Sequence, residues 1–167
     1  WVVDTYRRVI DLSGDVVEVG AWEGRSTVAL ANMAYPDIVH AIDTWEGSLD
    51  ERPDHETVVK CRERDVAGRF DRNVAALTAG NVRVVRRHSG KALADWPGPV
   101  KFAHVDGSHD YASVRRDLSL LLTRVPPGGV ICGDDYASAE GVRRAVRELL
   151  PGFEHVGGNF WVWQRKE

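Results

Sequence analysis

The stretch "DVVEVGAWEGRSTVALANMA", residues 15–34, decides the fold. Its first part, "DVVEVG" (15–20), is a short, β-branched apolar run closed by Gly20, the pattern of a buried strand. Helical spacing follows in "STVALANMA" (26–34), with Ser26 or Thr27 near the start. A strand, a glycine turn and a helix make the first half of a βαβ unit.

The same order recurs downstream. "IVHAID" (38–43) reads as a second strand, "NVRVVRRHSG" (81–90) as a third, "KFAHVDG" (101–107) as a fourth and "GGVICGDD" (128–135) as a fifth. Between the last two, Val114, Leu118, Leu121, Leu122 and Val125 form the apolar stripe of an amphipathic helix over 110–125. A further helix over 139–150 is stopped by Pro151 and Gly152. The tail, "FEHVGG" then "FWVWQRK", reads as two paired strands, alternating at Phe160, Val162 and Gln164. Strand–helix alternation predicts an α/β fold, a doubly wound and mostly parallel sheet with helices on both faces. Residues 1–167 are expected to form one domain. The polar segment 44–65 departs from the pattern and is expected to be a lid or substrate segment.

Composition excludes several classes. Hydrophobic residues make up 43% and charged residues 28%, ordinary for a globular domain. A net charge of −3 gives no reason to expect nucleic acid or an anionic membrane as partner. Arg83, Arg86 and Arg87 read as a solvated edge. Cys61 and Cys132 form no CxxC pair, which disfavours a zinc site or disulfide framework and fits a cytoplasmic location. No run reaches the roughly 18 apolar residues of a membrane span. The opening "WVVDTYRRVIDL" has no signal-peptide layout and no initiator Met.

In an open α/β sheet, ligands bind beyond the carboxyl ends of the strands. The residues to read are therefore Glu18–Gly20, Asp43–Trp45, His88–Ser89, Asp106–His109 and Asp134–Tyr136. The first turn is not GxGxxG, since Glu18 and Glu23 occupy the first and third glycine positions. Nor is it GxxxxGK[ST], since no Lys follows Gly24. An acid inside this turn would repel a pyrophosphate and suit an ammonium group. Asp43, after the second strand, can accept from both hydroxyls of a ribose. A nucleoside with a cationic, phosphate-free tail fits both, and S-adenosylmethionine is such a molecule. Ser89 is placed to serve its adenine.

These residues resemble a class I S-adenosylmethionine-dependent methyltransferase. "VVEVGAWEGRST" is similar to the first motif of that superfamily and "VHAIDTWEG" to its second. More narrowly, "FAHVDGSHDYASVRRDL" with "PPGGVICGDDY" resembles the metal-dependent O-methyltransferases, among them enzymes that methylate sugar hydroxyls of antibiotics. The resemblance runs from about Gly14 to the end of the chain. It implies a seven-stranded Rossmann-like sheet with an antiparallel last strand. It implies that Glu18, Gly20 and Ala21 line the methionine part, Asp43 holds the ribose, Thr44 and Trp45 lie near the adenine, and Ser89 lies at its edge. It implies that Asp106, Asp134 and Asp135 ligate a divalent cation, magnesium, with Asp106 also beside the methyl donor.

Two departures stand out. Where the antibiotic-sugar branch carries a second Asp, this chain has Ser108; where the catechol type carries a Lys base, it has His109. Relatives also carry more chain before the first motif. A site left open by so short a leader is expected to be closed by a partner copy, as in a homo-oligomer, or by further residues.

The expected reaction is methyl transfer to a hydroxyl of a small molecule, a sugar or polyketide-type natural product. The cation would acidify that hydroxyl, and His109 would take the proton. Tyr111, Tyr136, Trp161 and Trp163 are expected to pack, and Trp22 and Trp45 to pack or wall the site. Two alternatives share the fold: a metal-independent methyltransferase, and a non-catalytic protein that binds S-adenosylmethionine.

Overall fold

A computed structural model describes residues 1–47 and 56–166, of Glu56 and Thr57 the backbone only. Among the described residues, seven strands form one sheet in the order β3-β2-β1-β4-β5-β7-β6. They are β1 (Asp15–Val19), β2 (Val39–Asp43), β3 (Val82–Arg86), β4 (Val100–Val105), β5 (Val130–Gly133), β6 (Glu154–Gly157) and β7 (Phe160–Gln164). The first five run parallel, and β7 is antiparallel to both β5 and β6. The helices are α1 (Val2–Tyr6), α2 (Arg25–Ala34), α3 (Glu56–Glu63), α4 (Val66–Leu77), α5 (Ser89–Ala94), α6 (Tyr111–Leu122) and α7 (Glu140–Leu149). This is the doubly wound, mostly parallel sheet expected from the strand–helix alternation, with the seven strands and antiparallel last strand that the resemblance implies. Among the described residues no helix is long and apolar enough to cross a membrane.

The burial explains the continuous apolar runs. β4 and β5 are buried at every residue, because both faces of the sheet are covered. On one face Val17, Ala103 and Ile131 pack against Leu118 and Leu121 of α6 and Val146 of α7. On the other, Val16, Phe102, Val130 and Cys132 pack against Tyr6, Leu30 and Ala31. Cys132 is fully buried, as its apolar strand implied. In β7 the alternation sends Phe160 and Val162 to the second face and Trp161 to the first. β3 lies at the sheet edge, and this exposes Val84.

Two elements differ from the sequence reading. The third strand ends at Arg86, not residue 90; the chain turns through Arg87 and His88, and Ser89 opens α5. The apolar alternation stops at Val85, so nothing beyond it holds the strand in the sheet. Helix α4 was not anticipated, although Val66, Phe70 and Val74 have helical spacing; Asp65 caps it by accepting from the Gly68 N–H. Of the segment 44–65, residues 48–55 lie outside the described residues.

At the amino edge of the sheet, the buried Lys101 ammonium donates to Asp37 at 2.6 Å and to the Leu12 carbonyl at 2.9 Å. The Tyr6 hydroxyl donates to the same Asp37 carboxylate at 2.7 Å. This cluster ties the segment before β1 to the sheet. At the opposite edge the topology sets the site. From β1 the chain moves one way to β2 and β3, then returns to place β4 on β1's other side. The crevice therefore opens at the carboxyl ends of β1 and β4.

Candidate active site

The β1 and β4 loops touch at Gly20. Its φ is +87°, and an added Cβ would stand 2.1 Å from the Asp106 carbonyl oxygen. Only glycine fits both the left-handed backbone and that approach. The Gly20 N–H also donates to the Ile42 carbonyl, and the Asp106 N–H to that of Val19, at 2.9 and 2.8 Å. Three strand ends are thus locked together under one cavity of about 660 Å³. That size suits a small ligand.

At one end of the cavity lies Asp43. Its two carboxylate oxygens accept the backbone N–H groups of Trp22, at 2.9 Å, and Trp45, at 2.8 Å. Both tryptophans have positive φ, +49° and +57°, a conformation that costs a bulky residue about 1–3 kcal/mol unless its surroundings hold it. Here the surroundings do. The Trp45 indole donates to the Trp22 carbonyl at 2.7 Å and packs on Phe70, and the Arg86 guanidinium covers its ring. Each Asp43 oxygen keeps a lone pair for a further partner.

Gly20, Ala21, Thr44 and Ser89 line the cavity alongside Asp43. Ser89 is hydrogen-bonded to the buried Asp117. Burial raises the Asp117 carboxyl above its usual range, against the opposing pull of Ser89 and Arg116. Trp45 is buried behind the loop rather than on the cavity wall, and Trp22 is on the wall. Glu18 is not on the wall either. It is fully buried beneath the turn, accepts the Thr27 hydroxyl, and faces His104 Nδ1 at 3.2 Å. Burial alone would lower the His104 pKa; the Glu18 carboxylate outweighs it and raises it.

At the other end Asp106, Ser108, His109 and Asp134 line the cavity. Burial, with the neighbouring Asp135 and Asp134 carboxylates, pushes Asp106 up to about 7, while His104 opposes the shift. Asp134 and Asp135 part company. Asp135 takes a left-handed φ of +64°, and its N–H donates to Asp134 Oδ1 at 2.9 Å. Its Oδ2 pairs with His109 Nε2 at 2.9 Å, and its Oδ1 accepts the Ser138 hydroxyl at 2.8 Å. The His109 hydrogen bond holds the Asp135 carboxyl below its usual range. The Trp161 indole, buried as expected, donates to the Asp134 carbonyl and braces this turn.

A divalent cation is the group the resemblance implies here. The donor chemistry, three carboxylates on two strand ends, is right for magnesium. In this arrangement Asp135 pairs with His109 and Ser138. Among the described residues no three His, Cys, Asp or Glu side chains converge as ligands do.

Sequence reasoning missed several parts of the cavity wall: His104, Phe160, Trp1 and Val2 at the start of the chain, Arg25 and Ala29 of α2, and Arg87, which it read as a solvated edge. His104 and Phe160 read as plain core, and the strand order brings them to the site.

The geometry places a cavity at the switch point of a Rossmann-like sheet, and comparison with known proteins gives the family. Residues 17–136 match the family model described as a methyltransferase domain, so the chain belongs to that family. Among solved structures, the O-methyltransferase NovP superposes with a TM-score of 0.78 at 20% identity, over 99% of this chain and 78% of that one. The calicheamicin methyltransferase CalS11 gives 0.75 at 15% identity, over 97% and 76%. A putative rRNA methylase from Clostridium thermocellum gives 0.65 at 13% identity, over 98% and 95%. At these identities the likeness is one of fold. No curated protein matches the sequence significantly.

Proposed function

We propose that the protein transfers a methyl group from S-adenosylmethionine to a hydroxyl of a small molecule, a sugar or polyketide-type natural product. The observation that carries this reading is the continuity of one cavity from Asp43 to Asp106, Asp134 and His109. Asp43 is oriented by two N–H groups and has lone pairs left for the two ribose hydroxyls. Thr44 and Ser89 flank the adenine, and the Gly20–Ala21 turn faces the methionine.

S-adenosylmethionine, when bound, would supply the methyl group for a single displacement, so the protein's work is placement and proton removal. His109, on the cavity wall, takes the proton from the acceptor hydroxyl. Asp135 orients the His109 ring, and Ser138 in turn orients Asp135. This relay requires no cation, and the His109–Asp135 contact favours the metal-independent reading over transfer assisted by magnesium on Asp106, Asp134 and Asp135. Thr44, Gly47 and Cys61, from the two described ends of segment 44–65, line the cavity and are proposed to contact the substrate.

Calorimetry with S-adenosylhomocysteine tests the methyl donor: micromolar binding is expected, and its absence refutes the reading. Initial rates of methyl transfer in EDTA then separate the two mechanisms. Unchanged turnover supports the His109–Asp135 route, and loss restored by magnesium overturns it.

A further inference from the structure

We propose that His104 is a specificity-determining residue of the acceptor half of the cavity, selecting hydroxylated rings that carry a second polar group beyond the hydroxyl to be methylated. The inference rests on the methyltransferase reading above. The strand order supplies the first step. β1 and β2 carry Gly20 and Asp43, the methyl-donor half; β4 and β7, on the far side, carry His104, Asp106 and Phe160. Asp106 follows His104 by two residues, so both point to the same face, and His104 lies about 7 Å deeper along the strand.

The His104 ring is fixed. In register its partner on β1 is Glu18, and its Nδ1 faces Glu18 Oε1 at 3.2 Å. The other Glu18 oxygen accepts the Thr27 hydroxyl. Rotating the ring away would leave a fully buried carboxylate short of a partner, which is costly. Phe160 stacks along the ring at a centroid distance of 6.3 Å and an interplanar angle of 28°.

The second ring nitrogen, Nε2, has no hydrogen-bond partner among the described residues. Yet it is not among the sealed, unpartnered polar atoms, and His104 is part of the cavity wall. Nε2 therefore opens into the cavity, although the residue is only 4% exposed. The wall around it is mixed: Phe160 stacks on the ring, Trp1 and Val2 line the same cavity, and the Asp106 and Asp134 carboxylates act on the ring from the other side. A ring fits the apolar part of such a wall, and the fixed nitrogen between it and the acids calls for a polar group on that ring. A site built this way rejects analogues lacking the group, because its own buried nitrogen is then left unpaired.

The test uses the full chain loaded with S-adenosylhomocysteine and labelled with 15N-histidine. The probes are TDP-rhamnose and catechol, with phenol as the analogue lacking the second hydroxyl. At least one of the first two is expected to bind at millimolar concentration or below and to shift the His104 Nε2 signal. Phenol should bind about tenfold more weakly than catechol, and His104→Phe should weaken the bound probe about tenfold, the worth of one hydrogen bond. The S-adenosylhomocysteine Kd should be unchanged in that variant. His104→Gln, which keeps a polar end, should recover part of the loss. The wild-type signal keeps the test decisive even where His104→Phe does not fold. A bound probe that leaves the His104 signal unmoved overturns the proposal, as does failure of both probes to bind a loaded protein. Failure of S-adenosylhomocysteine itself to bind removes the methyl-donor reading, and this inference with it.

Discussion

Replacing Asp43 with Asn probes the methyl-donor half most directly. The carboxylate accepts two backbone N–H groups, from Trp22 and Trp45, both in left-handed conformations. An amide offers one oxygen, so one N–H gains an acceptor and the other meets an NH2 group. Hydrogen bonds to charged groups contribute about 1.5–3 kcal/mol each, and one of the two is lost. For a chain of this size about 1 kcal/mol corresponds to roughly 2–4 °C in Tm, so a fall of about 3–12 °C is expected. The ribose loses an anionic acceptor as well, and the S-adenosylhomocysteine Kd should rise about 10- to 100-fold. Calorimetric titration and thermal unfolding, run on the same preparation, read the two effects separately. An unchanged Kd in a folded variant would refute Asp43 as the ribose anchor. An unchanged Tm would refute its role in holding the two tryptophan loops.

Gly20→Ala should lower stability by about 2 kcal/mol or more, from left-handed strain and the 2.1 Å approach to Asp106; a denaturant midpoint equal to wild type would contradict it. His109→Ala should reduce the turnover number about 100-fold with the S-adenosylhomocysteine Kd unchanged, and near-normal turnover would dismiss it as the base. Burial alone would raise Asp37, but hydrogen bonds from Lys101 and Tyr6 outweigh it and hold the carboxyl below its usual range. A depressed folded-state pKa adds stability that is present above the unfolded value, about 3.9, and is lost as pH falls through the folded one. Lys101→Met should therefore flatten the fall of Tm below about pH 4. An identical slope in the variant would show that the pair contributes nothing to acid stability.

Much of this molecule was legible in its sequence. The apolar runs of β1, β4 and β5 announced strands buried on both faces, and the stripe from Val114 to Val125 announced α6. The βαβ alternation located the ligand edge, so Gly20, Asp43, Ser89, Asp106, His109 and Asp134 could all be named before any coordinates, and all of them line one cavity. Periodicity and turn chemistry are local properties, and local properties survive in a one-dimensional reading. Helix α4 shows the limit: Gly68 and a mostly polar surface masked a stripe that pairs with Trp45 only in three dimensions.

What the chain alone determined is the set of strand ends and the acids placed on them. What the tertiary structure decided is the partner of each acid. Asp134 and Asp135 look equivalent side by side, but Asp134 lines the cavity while Asp135 pairs with His109 and Ser138. Glu18 looks like a cofactor ligand, but the β1–β4 register sets it against His104, 86 residues away. The physical reason is the same in both cases. A carboxylate removed from water binds whatever donor the neighbouring strand or turn presents, and strand order and register, not sequence spacing, determine which donor that is.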